Sequence, residues 1–106
     1  MAGVFNFFKM KSKEELLRIL KDEFPYLRKN FNVKSIGLFG SYARSEQKIG
    51  SDVDILVEFS KPIGFFKFIE LEDYLSKKLG VKVDLVTPDA LKPAIKPQIM
   101  QEVVYV

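Results

Sequence analysis

Two aspartates one residue apart, Asp52 and Asp54, open the run Asp52-Val53-Asp54-Ile55-Leu56-Val57-Glu58-Phe59. On a strand, residues two apart share a face and stand roughly 6.6–6.8 Å apart along the chain, so both carboxylates can bracket a pair of metal ions. Val53, Ile55, Val57 and Phe59 then take the opposite face. The chain has no His and no Cys. That removes imidazole bases, thiolate nucleophiles, disulfides and zinc sites built on His or Cys. Chemistry must rest on carboxylates, Lys, Arg, Tyr or hydroxyls, and a bound metal would be a hard ion such as Mg²⁺ or Mn²⁺.

Moving a nucleotidyl group from a nucleoside triphosphate to a hydroxyl makes three demands. The site must hold a polyphosphate, neutralise charge on the leaving pyrophosphate, and lower the pKa of the incoming hydroxyl. Two divalent ions roughly 3.5–4 Å apart meet the last two demands, given carboxylates converging from one side. Asp52 and Asp54 supply that side. Asp84, inside the apolar run Val81-Lys82-Val83-Asp84-Leu85-Val86, is a third candidate, because a buried carboxylate there would need a partner, and a metal ion is one. For the phosphates, Gly40-Ser41 ends a β-rich run. Glycine permits close backbone approach, free N–H groups can face an anion, and Ser41 adds a hydroxyl. Arg44 in the following helix and Lys48 in the next loop are further candidates for the triphosphate oxygens.

Each pattern alone is commonplace. Gly-Ser is usually a turn, and Asp-x-Asp at a strand start is usually a turn or cap. A lone Asp84 divides evenly between an edge position and a functional one, and Arg44 and Lys48 are by default solvated charges. Their joint occurrence at this spacing points to one site.

The elements that must position these residues are legible in outline. Ser12 and Glu15 form a capping-box pattern ahead of Leu16, Leu17, Leu20, Phe24 and Leu27, which predicts a helix from about 13 to 28 that Pro25 breaks or kinks at its end. Val33 to Phe39 reads as a strand, and Tyr42 to Glu46 as the start of a short helix. After Asp52 to Phe59 comes an amphipathic helix marked by Phe65, Phe68, Ile69, Leu75 and Leu79, with Gly80 as its stop and its apolar stripe on the sheet. Val81 to Val86 is a third strand. Thr87-Pro88 reads as a cap with proline in the first turn, and Val103 to Val106 as an edge strand or packed tail.

At 106 residues the chain supports one compact domain. Residues 1–12 read as an N-terminal extension and 13–106 as the domain. Apolar residues make up 47% and charged residues 29%, the balance of a folded protein. The net charge of +3 is spread along the chain, so direct nucleic-acid binding is not expected, whereas a nucleotide-sized anion is. No stretch is long and apolar enough for a membrane span and no signal peptide is evident, so a cytoplasmic address is expected.

The run Gly40-Ser41-Tyr42-Ala43-Arg44, followed by Ser51-Asp52-Val53-Asp54-Ile55-Leu56-Val57, resembles the signature of the DNA polymerase beta-like nucleotidyltransferases, and the length resembles their minimal nucleotidyltransferase group. The resemblance covers roughly Lys13 to Val106. It implies an α/β (α+β) fold with a mixed three- to four-stranded sheet flanked by helices. It implies Gly40, Ser41 and Ser51 at the nucleotide, Asp52, Asp54 and Asp84 as catalytic metal ligands, two Mg²⁺ ions and ATP as donor. It also implies a HEPN-domain toxin as partner, with transfer of AMP to that partner and an oligomer of the two. A non-catalytic antitoxin that covers its toxin is the alternative, and transfer to a small molecule such as an antibiotic is less favoured, since few further acidic residues could line a pocket for it. The signature carries glycine after its arginine where this chain has Ser45. Serine fits a helical turn there if φ stays negative.

Overall fold

The computed structural model describes residues 10–106, so the first nine positions of the expected extension lie outside the described residues. Helix α1, Lys13–Phe31, starts where expected: the Glu15 N–H donates to Ser12 Oγ at 3.2 Å, and the Ser12 hydroxyl donates to Glu15 Oε1 at 3.3 Å. It does not end near residue 28. Pro25 sits inside the helix on its exposed side, so the Lys21 carbonyl it leaves without an N–H is on the solvent face. Burial of Leu27 and Phe31 beyond it, and a left-handed Asn32 (φ 55°) whose N–H donates to the Leu27 carbonyl, hold the last turn.

Strand β1, Val33–Phe39, runs antiparallel to β2, Val53–Phe59, with Leu38 opposite Ile55 and Phe39 opposite Asp54. Helix α2, Gly40–Ala43, follows β1 directly. Helix α3, Phe65–Leu79, is the crossover that brings β3, Val83–Val86, parallel to β2. A 3₁₀ turn over Pro88–Ala90 leads to α4, Lys96–Glu102, and to β4, Val104–Tyr105, which joins β1 as an antiparallel edge strand. The mixed four-stranded sheet has the order β3-β2-β1-β4. No helix among the described residues is long and apolar enough to cross a membrane.

The core lies between one sheet face and α1 with α3. Leu16, Leu20 and Leu27 of α1 and Leu71, Leu75 and Leu79 of α3 close over Ile36, Leu38, Ile55 and Val57. Each fully buried leucine contributes about 1.5–3 kcal/mol. Of the expected stripe on α3, Phe68, Leu75 and Leu79 face the core, whereas Phe65 (71% accessible) and Ile69 (46%) are exposed and Leu71 is buried instead. Gly80 (φ 70°) ends the helix as expected. β3 begins at Val83 rather than Val81, and its outer edge is closed by α3, because the Val83 and Leu85 N–H groups donate to Ser76 Oγ (3.0 Å) and Glu72 Oε2 (2.9 Å).

Gly37 lets the C-terminal segment lie flat on β1. A Cβ there would stand 2.7 Å from Val103 Cγ2 and 2.9 Å from the Val104 carbonyl oxygen. Gly37→Ala should push β4 and Val103 off β1 and cost about 1–3 kcal/mol in denaturant unfolding. Unchanged stability would mean that the C-terminal segment does not pack on this strand.

Candidate active site

Two demands meet at Gly40. Its φ is +74°, a region that side chains rarely adopt, and a Cβ on it would stand 2.1 Å from Asp54 Oδ2. The turn that ends β1 therefore rests directly against the carboxylate opposite Phe39, and the two halves of the expected site are neighbours. One strand over, Asp84 is the register partner of Asp54, at the roughly 4.7–4.9 Å spacing of adjacent strands.

Burial, then the like charge of Asp84, then that of Asp52, pushes the Asp54 carboxyl up from 3.8 to about 6. Arg44 pulls it the other way. Asp84 itself is exposed, which corrects its reading as a buried carboxylate: β3 is the edge strand, and only Val83 and Leu85 turn into the core. Asp52 precedes β2, is 44% exposed and faces Lys82, Nζ to Oδ2 3.9 Å. Among the described residues, no three His, Cys, Asp or Glu side chains are grouped so as to hold an ion as they stand. The donor set is nonetheless all oxygen, and the raised Asp54 marks a carboxylate whose charge a hard divalent cation would stabilise. By chemistry the residues fit Mg²⁺ or Mn²⁺.

The phosphate side differs from expectation in three ways. The Gly40 N–H is not free, since it donates to Glu102 Oε1 at 3.2 Å. Helix α2 is only Gly40–Ala43, so Arg44 caps it instead of lying inside. The Arg44 guanidinium donates from Nε to Glu46 (2.7 Å) and from Nη1 to both Glu102 oxygens (3.2 and 3.0 Å). Ser41 lends its carbonyl to the Glu46 N–H at 2.8 Å, and the Ser45 N–H donates to the Tyr42 carbonyl at 3.2 Å. That pair closes α2 as a Schellman motif, which puts Ser45 at the position that favours glycine. Its φ is +58°, so the departure from the signature carries backbone strain. Lys48 and Ser51 bind each other's turn, the Lys48 N–H on Ser51 Oγ at 2.9 Å. With Tyr42 and Asp52 they line a cavity of about 360 Å³. Burial and the charge of Asp52 raise the Tyr42 hydroxyl above its ordinary pKa.

Glu102 had no local signal, being 62 residues from Gly40. The pairing would have found it: β4 sets Gly37 against Tyr105 and Leu38 against Val104, and continuing that register by two steps puts Glu102 beside Gly40.

Two outcomes follow from these geometries. Ser45→Gly should relieve the left-handed serine and stabilise the fold by about 1 kcal/mol, raising the melting midpoint by several degrees; a lowered midpoint would mean that the serine is not strained. Asp54 has a folded pKa above its unfolded one, so the folded state loses stability as pH rises between about 4 and 6. In EDTA at pH 8, Asp54→Asn should therefore melt higher than the parent, with the gap closing as pH falls toward 4. A pH-independent gap would remove the electrostatic cause.

Residues 13–106 match the family described as nucleotidyltransferase domain. The protein adenylyltransferase MntA of Thermococcus cleftensis is 50% identical over 97 residues, 92% of this chain and 98% of that one. A solved structure described as a minimal nucleotidyltransferase superposes with a TM-score of 0.74 at 29% identity, covering 91% of this chain and 97% of that one. A crystal structure of a toxin-antitoxin with AMP-PNP gives a TM-score of 0.63 at 25% identity, covering 90% of this chain and 72% of that one. The glycine turn lodged against strand aspartates thus stands in a chain that belongs, over residues 13–106, to the nucleotidyltransferase domain family.

Proposed function

We propose that this nucleotidyltransferase transfers AMP from ATP to a hydroxyl on a partner protein, a HEPN-domain toxin, and in doing so acts as its antitoxin. The observation that carries the reading is the contact of Gly40 with the Asp54 carboxylate, with Asp84 one strand away. A phosphate held at the turn would lie beside the carboxylates. The donor and the acceptor class are supported by the name of the Thermococcus relative and by the neighbouring toxin-antitoxin structure with its ATP analogue. The active domain is residues 13–106, residues 1–12 are an extension, and the assembly is a cytoplasmic complex of both proteins.

In this reading Asp52, Asp54 and Asp84 hold two Mg²⁺ ions, and Mn²⁺ can replace them. When bound, the ions neutralise charge on the leaving pyrophosphate and acidify the acceptor hydroxyl. Gly40, Ser41 and Arg44 bind the triphosphate, and Lys48 and Ser51 hold the nucleotide from the cavity wall beside Asp52. Asp84, exposed at the sheet edge, can be reached by an acceptor arriving on another protein and takes its proton. The acceptor oxygen then bonds to the α-phosphorus as the bond to the bridging oxygen breaks, releasing pyrophosphate.

A second reading has its own observation. Glu102 occupies the Gly40 N–H and Arg44, and Lys82 faces Asp52, as suits an antitoxin that neutralises its toxin by covering it. Label transfer from α-labelled ATP to the co-purified partner decides between them. Asp54→Asn should cut transfer at least about 100-fold. Full transfer by that variant sinks the mechanism, and a tight complex with no label from the parent chain favours the second reading.

A further inference from the structure

We infer that Glu102 is an internal stand-in for the triphosphate: its carboxylate takes the anion slot formed by Gly40 and Arg44 and must leave before a nucleotide binds. The inference rests on the reading of Gly40 and Arg44 as phosphate ligands and adds a competitor for them. Glu102 accepts from the Gly40 N–H (3.2 Å) and, with both oxygens, from Arg44 Nη1 (3.2 and 3.0 Å). These are the donors a phosphate oxygen would use, and an anion already bound shows that the slot takes one. A polyphosphate cannot share them, because it would be forced against a carboxylate in the same slot.

The surroundings permit exchange without unfolding. Glu102 is the last residue of α4, its side chain is 20% exposed, and Val103 and β4 beyond it are pinned over Gly37. Rotation of one side chain is therefore enough. Arg44 keeps its Nε bond to Glu46 at 2.7 Å, so the guanidinium stays aimed while Nη1 trades a carboxylate for a phosphate. Without that exchange, a fourth carboxylate would remain beside Asp52, Asp54 and Asp84, where Arg44 is the counter-charge that tolerates it. Nucleotide affinity is thereby set by the C-terminal segment, which packs on β1.

Calorimetry with inorganic tripolyphosphate and with Mg²⁺-ATP tests this on the full chain, using Glu102→Gln and Glu102→Ala, each first melted without ligand to confirm folding. Both variants should bind both probes about tenfold more tightly than the parent, with KM for ATP falling in step and kcat held. If the parent binds and the folded variants do not bind more tightly, Glu102 merely braces Arg44 and the inference is overturned. If parent and variants alike bind neither probe, the phosphate role of Gly40 and Arg44 fails, and the stand-in fails with it.

Discussion

Everything at the site depends on the absence of a side chain at Gly40. A left-handed turn there ends β1 and swings the chain into α2 at the one place where Asp54 projects from the neighbouring strand, and a single methyl group would collide with that carboxylate. Close approach brings the turn and the aspartate into one site. It also strips solvent from Asp54, which is the largest contribution to its raised pKa. The strain and the like-charge repulsion are held in place by an apolar sheet whose other face is sealed by α1 and α3.

Sheet order extends that local contact across the candidate site. With β2 second in the order β3-β2-β1-β4, Asp54 has the glycine turn on one flank and Asp84 on the other. A parallel β2-β3 pair makes this alignment automatic, since Asp54 and Asp84 fall in register when Val53 meets Val83. The crossover helix α3 buries Leu71, Leu75 and Leu79 on the core face while its Glu72 and Ser76 close the edge of β3.

Much of this was legible from residue types and spacing. Alternation in β2 places Val53, Ile55 and Val57 inward and Asp54 on the other face, and the capping box and Gly80 read correctly because each depends on neighbours within a few residues; of the two readings for Val103 to Val106, edge strand or packed tail, the structure has the edge strand β4 over Val104–Tyr105. What escaped reading depends on packing. Pro25 lies within α1 because burial of Leu27 and Phe31 outweighs one lost hydrogen bond. For Asp84 the pattern leaves an edge position and a buried functional one equally open, because it does not say which strand is the edge. Ser45 looked acceptable because the sign of φ is set by the Schellman closure of α2, which the residues themselves did not announce. Glu102 reaches Gly40 through strand pairing across 62 residues.

The closed edge of β3 also restricts how a partner can reach Asp84. An open edge strand would invite an extended segment to pair with it, but Ser76 and Glu72 already take the outward N–H groups of Val83 and Leu85. Under the proposed function, an acceptor would approach over the sheet face that carries Asp54 and Asp84, where the exposed carboxylate stands ahead of the half-buried one. In that proposal the order of burial would sort the two residues by role: the accessible Asp84 is placed to exchange a proton with an acceptor, and Asp54, pressed against Gly40, is placed beside the donor.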